Sequence, residues 1–126
     1  MSKVAIVGSR DYPRLEEVRR YVRTLPRDST IITGGALGVD SAAESEAKAI
    51  RLSRIILEPI VMQAGSKEAY IRALLKRNER IAEACDYLVA FWDGSSTGTR
   101  HVVTYTRKLG KVAIIYEVGD IANKQA

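Results

Sequence analysis

One cysteine, Cys85, in 126 residues excludes an intrachain disulfide and a thiolate cluster able to hold a metal. No apolar run approaches the roughly 18–20 residues that a membrane helix requires. The opening residues MSKVAIVG lack a signal-peptide pattern, so the expected location is the cytoplasm, away from membranes. Linkers, repeats and low-complexity segments are missing, and no five or six basic residues run together. His101 is the sole histidine, which leaves little material for a metal site.

What is present fits one ordinary globular domain. The length lies in the single-domain range and suffices for a core without metal or disulfide staples. Hydrophobic residues at 46% and charged residues at 28% are typical of such domains. The net charge of +5 favours an anionic partner, from a free nucleotide to nucleic acid. Even the densest basic segment, Lys76-Arg77-Asn78-Glu79-Arg80, is interrupted by a glutamate, so charge does not choose among anions.

Apolar spacing alternates between two periods. Short β-branched runs at Lys3–Val7, Thr30–Thr33, Ile55–Leu57, Tyr87–Trp92 and Lys111–Tyr116 read as strands. Between them, Leu15, Val18, Val22 and Leu25 recur at helical spacing, as do Val39, Ala42, Ala43, Ala47 and Ile50. The longest helix is expected over 66–84, with Ile71, Leu74, Leu75, Ile81 and Ala82 inward. The last helix covers 97–109 and carries Val102, Val103 and Leu109. Tyr87–Trp92 is apolar on both faces, as a central strand covered by helices must be.

Five strands alternating with four helices imply parallel pairing through right-handed crossovers. The expected fold is α/β, a three-layer doubly wound sheet formed by residues 1–119, with a short polar tail at 120–126. Ligands of such sheets bind beyond the carboxyl ends of the strands, where strand order reverses.

Three strand-to-helix turns are suited to a phosphate at that edge. Thr33-Gly34-Gly35-Ala36-Leu37-Gly38-Val39-Asp40 leads from a strand into a helix whose first amides attract an anion. It lacks the lysine of a Walker A loop and the GxGxxG dinucleotide spacing. Glycine used for turn geometry alone accounts for this turn equally well. Asp93-Gly94-Ser95-Ser96-Thr97-Gly98-Thr99-Arg100 offers short donors at a second helix start, where a Ser or Thr also serves as cap. Gly8-Ser9-Arg10 adds a hydroxyl and a guanidinium able to pair bidentately with phosphate. Asn78 falls on the apolar stripe of the long helix, flanked by Arg77 and Arg80. Its amide must be satisfied either by a neighbouring loop or by a ligand.

GSRDY at 8–12, ITGGALGVD at 32–40, RNERIAEACD at 77–86 and GSSTGT at 94–99 together resemble the SLOG superfamily. This Rossmann-like group includes the LOG enzymes, the DNA-processing protein DprA and small YspA-like proteins, and the small branch is the nearest in pattern. The resemblance implies a five-stranded parallel sheet of order 3-2-1-4-5. It also implies a ligand between Gly8, Ser9 and Arg10 on one side and Gly34, Gly35 and Gly38 on the other. Gly94, Ser95, Ser96, Thr97, Gly98 and Thr99 would form the phosphate cradle, with Arg77, Asn78 or Arg80 aimed at the same cleft. Asp40 matches the acid of the family's GGAxGxD turn, where a cap or a ribose-hydroxyl partner suits a carboxylate better than phosphate does. Relatives commonly dimerise through helices, so a homodimer is compatible with the resemblance.

Three functions follow as expectations. A binding or sensing domain for a small nucleotide, AMP-like or ADP-ribose-like, needs no further cofactor. Single-stranded DNA binding of the DprA type fits the basic balance, but Tyr87, Phe91, Tyr105 and Tyr116 read as core, and Trp92 is the one aromatic placed to stack on a base. Hydrolysis of a nucleotide N-glycosidic bond, as in LOG enzymes, uses a glutamate of a PGGxGTxxE motif. Here Val102 stands in its place, and nothing in the spacing nominates Asp11, Glu79 or Asp93 instead. His101, within a helix, is expected at the surface. Catalysis is the weakest of the three.

Overall fold

A computed structural model describes residues 1–60 and 65–117. Along the chain lie β1 (Lys3–Gly8), α1 (Leu15–Arg23), β2 (Thr30–Thr33), α2 (Val39–Ala49), β3 (Ser53–Ile56), α3 (Lys67–Ala84), β4 (Tyr87–Trp92), α4 (Thr97–Lys108) and β5 (Ala113–Glu117). The five strands pair in parallel in the order β3-β2-β1-β4-β5, the order implied by the superfamily resemblance.

Side-chain alternation along β1 divides the interior into two layers. Val4 and Ile6 point to one face, where they meet Val18 and Val22 of α1 and Val39, Ala43 and Ala47 of α2. Ala5 and Val7 point to the other, against Ile81 of α3 and Val102 and Val103 of α4. Leu88 and Ala90 alternate with Val89 and Phe91 in β4 in the same way, which is why that strand is apolar throughout. Phe91 anchors an aromatic group with Tyr12, Tyr21 and Tyr116, at ring-centroid distances of 5.7, 6.0 and 5.4 Å.

Helix ends are set by specific chemistry. Glu16 and Glu17 open α1 and Arg20 and Arg23 close it, matching the helix dipole. Ser66 caps α3 by accepting from Ala69 N at 3.1 Å. The carboxyl end of α3 meets Lys111, whose Nζ donates to the carbonyls of Ala82, Glu83 and Cys85 at 2.8–2.9 Å.

Several boundaries shift. The third strand begins at Ser53, and the last runs to Glu117. Ile50 and Leu109, expected on inward faces, are C-caps of α2 and α4 and are exposed, because the chain is already turning away from the sheet there. The tail expected at 120–126, and residues 118–119 of the expected domain, lie outside the described residues.

Where β1 ends, three elements nearly touch. A Cβ added to Gly8 would lie 2.5 Å from both Phe91 O and Val39 Cγ2. That spacing holds β1, β4 and α2 together at the reversal of strand order. Gly8→Ala is therefore expected to destabilise the fold by about 2 kcal/mol or more, the usual cost of overpacking, read from the urea midpoint. An unchanged midpoint would show that the junction can relax.

Candidate functional site

The three turns do meet beyond the carboxyl ends of β1, β2 and β4, but each is used differently. Ser9 is buried: its N donates to Phe91 O at 3.0 Å, and its Oγ accepts from Asp93 N at 2.9 Å. It links two turns and does not face outward. Arg10 is exposed, and among the described residues its guanidinium has no hydrogen-bond or ion-pair partner. Its backbone carbonyl rests directly against Gly38, whose φ of 84° and lack of Cβ permit that approach.

The turn between β2 and α2 is braced by its own acid. Asp40 Oδ2 accepts from Gly34 N at 2.9 Å and Ala36 N at 3.3 Å. Burial pushes the Asp40 carboxyl up to about 6, opposed by those two amides and by the nearby Arg77 guanidinium. Arg77 Nη1 donates to Gly34 O, and its Nε donates to Asn78 Oδ1 at 3.1 Å. Partial burial lowers the Arg77 pKa from its ordinary value, with Asp40 opposing. The Asn78 Nδ2 donates to Gly98 O at 3.2 Å, so this amide ties α3 to the start of α4.

The turn before α4 is organised by a different acid. Asp93 Oδ1 accepts from Ser95 N at 2.9 Å and Ser96 N at 2.8 Å, and these amides hold its carboxyl below the usual range. Ser96 is the cap, with Oγ accepting from Thr99 N at 3.4 Å. The next two amides, Thr97 N and Gly98 N, have no acceptor among the described residues. They sit at the positive end of α4.

A cleft of about 550 Å³ joins these parts. Its lining includes Arg10, Asp40 and the Ser96–Thr99 turn. The α3 stripe of Ile71, Leu74, Leu75, Asn78 and Ile81, with the adjacent Arg77, lines it too, as does Val102. Its size and its mixture of apolar wall and few polar groups are those of a small-ligand site. No group of three or more potential metal-ligating side chains occurs among the described residues.

Residues 1–107 match the family described as DNA recombination-mediator protein A. The chain belongs to this family. Comparison with curated proteins finds no match. DNA processing protein A from Streptococcus pneumoniae is similar in structure, with a TM-score of 0.73 at 19% identity over 91% of this chain. The chain spans half the length of that protein. TM1055, a structural-genomics target, gives 0.66 at 20% identity over 90% of this chain and 72% of its own. The C-terminal domain of PF1911 hydrogenase from Pyrococcus furiosus gives 0.51 at 17% identity, covering 90% of both chains. These likenesses establish the fold, and the family match bears out the resemblance to the SLOG superfamily.

Within this member of the family, Gly8, Arg10, Asp40, Arg77, Asn78, Ser96, Thr97, Gly98 and Thr99 line the cleft. Gly34 lies under the Arg77 guanidinium, Gly35 faces Glu58 and Ile56, and Gly38 packs on Arg10. Gly94 and Ser95 are exposed and lie off the lining. Arg80 instead points to Glu58 O at 3.4 Å and borders a different depression with Lys76 and Arg72. Trp92 donates its indole N–H to Ser96 O at 2.9 Å and does not line the cleft. His101 is half-buried and stacked on Tyr105, with Nδ1 unpartnered, so it is not the surface residue expected.

Sequence reading missed the aliphatic wall. Ile71, Leu74 and Leu75 were expected in the core, yet Ile71 is 45% exposed and all three face the cleft. The available signal was the length of the α3 stripe, which runs further than the short strands beneath it can cover. Val102, where LOG enzymes carry glutamate, lies on the cleft floor, so the missing carboxylate is absent from the site itself.

The buried acid gives a direct check. A carbon-detected NMR titration should place the Asp40 carboxyl midpoint near 6, above the ordinary 3.8. A raised midpoint means folding favours the protonated form. The Asp40 contribution to stability is thus complete below about pH 4 and is lost as pH rises through 6. Arg77→Met, which removes a nearby positive charge, should move the midpoint higher still. A midpoint near 4 in both proteins would contradict this account of the turn.

Proposed function

We propose that the cleft binds a phosphate-bearing nucleotide, with the phosphate at the first turn of α4 and the base against the aliphatic wall of α3. The observation that carries this reading is that open Thr97 and Gly98 amides and an unpartnered Arg10 line the same cleft as Ile71, Leu74 and Leu75. A helix start and a guanidinium suit a phosphate. An aliphatic surface suits the face of a base or the edge of a sugar. The AMP-like and ADP-ribose-like ligands expected from sequence both have these parts.

Binding without turnover is the reading favoured here. Val102 supplies no general base, Asp93 is occupied by the Ser95 and Ser96 amides, and Glu79 and Asp11 are off the lining. Asp40 is committed to Gly34 and Ala36.

A second reading, single-stranded DNA as the carrier of that phosphate, is favoured by the family match. The two differ in electrostatics. Binding of a single strand weakens with salt in proportion to the phosphates contacted, with slope about −0.7 per phosphate. Calorimetric titration with AMP, ADP-ribose and a short oligothymidylate at several salt concentrations separates them. In either case Arg10→Ala should weaken binding by about 10- to 100-fold, the worth of a charge-assisted contact. Failure of all three ligands to bind, or full affinity in the variant, would sink the proposal.

A further inference from the structure

Among the described residues, Asp40 is the one acidic side chain that lines the cleft. Its commitment to the glycine-rich turn uses one oxygen, because the bonds from Gly34 N and Ala36 N both end on Oδ2. Oδ1 accepts no hydrogen bond among the described residues, and it is not one of the unpartnered atoms sealed from solvent. The residue is otherwise buried, so this open oxygen borders the cavity.

Charge around that oxygen is nearly balanced. Arg10 enters the lining from the turn after β1, and Arg77 enters from α3. Glu44, one turn further along α2, acts against the ionised form of Asp40, and Arg77 acts for it. Glu58, after β3, stands against Gly35 in the same glycine-rich turn. The α4 residues of the lining, Thr97, Gly98, Thr99 and Val102, carry no charge. Arg77 already faces Gly34 O and Asn78 Oδ1, and its charge is offset by Asp40. What is left for an anion is Arg10 and the start of α4, roughly one and a half positive charges together. That matches one negative charge on a phosphate. A second would face the open oxygen of Asp40 without a cation to meet it.

We infer that Asp40 sets the charge of the ligand, so that the cleft takes a small nucleotide whose phosphate is bridged on both sides and singly charged, in preference to one ending in a doubly charged phosphate. This inference rests on the nucleotide reading of the cleft and adds a selection that Arg10 and the helix start do not make. A fixed repulsive group is a common means of rejecting a near neighbour of the proper ligand. Linkage gives a second consequence. A bound anion favours the protonated carboxyl, so the ligand raises the Asp40 midpoint and its affinity falls as pH rises through that midpoint.

The test compares AMP with adenosine 5′-methyl phosphate, which differ at the phosphate by one charge and one methyl group. In calorimetric titrations at pH 8 the methyl diester should bind about tenfold more tightly, the effect of one extra charge near a carboxylate in a partly screened cleft. Asp40→Asn keeps an oxygen for the two amides and removes the charge, so the ratio of affinities should move about tenfold towards AMP. Should that variant fail to fold, the unaltered protein still decides the matter. Carbon-detected NMR should show the Asp40 midpoint rising when the diester, which does not itself titrate between pH 5 and 8, saturates the cleft. Preference for AMP at pH 8, an unchanged ratio in the variant, or an unmoved midpoint in the complex would each overturn the role of Asp40 and leave the cleft standing. If neither ligand binds at pH 6 or pH 8, the reading of the cleft falls as well.

Discussion

The buried carboxylate of Asp40 braces the edge at which the cleft lies. It accepts from Gly34 N and Ala36 N, two of the amides that the glycine-rich turn would otherwise present to an anion. Arg77 then closes on the Gly34 carbonyl, and Asn78 carries the link across to Gly98. The turn after β2 thus becomes a brace between α2, α3 and α4. A second helix start lies nearby, where Ser96 caps α4 and Thr97 N and Gly98 N have no acceptor among the described residues. The cost is a carboxyl held in a poorly solvated place, visible in its raised pKa.

Much of this was legible in the sequence, for reasons that differ by element. β1 and β4 announce themselves because central parallel strands are apolar on both faces, and alternating helices require the parallel arrangement. Periodicity could not say what the α3 stripe faces. Ile81 packs against the sheet, whereas Ile71, Leu74 and Leu75 extend the same stripe past the strand ends into the cleft. The three turns were placed at one edge correctly, but sequence treats all their polar atoms as available. Ser9 and Asp40 are spent inside the protein, a fact that depends on which turns come within hydrogen-bonding distance. Arg80 was grouped with Arg77, its neighbour one turn away on α3, yet its guanidinium donates to Glu58 O and borders a different depression.

The family relationship and the site speak to different questions. At 19% identity, the likeness to the Streptococcus pneumoniae protein defines the course of the backbone and little about what the edge recognises. The proposed recognition rests on a few features of this chain: a free arginine after β1, a capped but open helix start after β4, and an aliphatic wall. Val102, in the cleft lining, stands at the position where the LOG motif carries its glutamate.

The central claim is that phosphate sits at the first turn of α4 and not at the glycine-rich turn after β2. Amide proton and nitrogen shifts, followed while thymidine 5′-monophosphate is added and compared with unphosphorylated thymidine, test this residue by residue. The account predicts that the phosphate-dependent shifts are largest at Thr97 and Gly98, with Gly34 and Ala36 little affected. Binding accompanied by dominant shifts at Gly34, Gly35 and Ala36, with Thr97 and Gly98 unmoved, would contradict it.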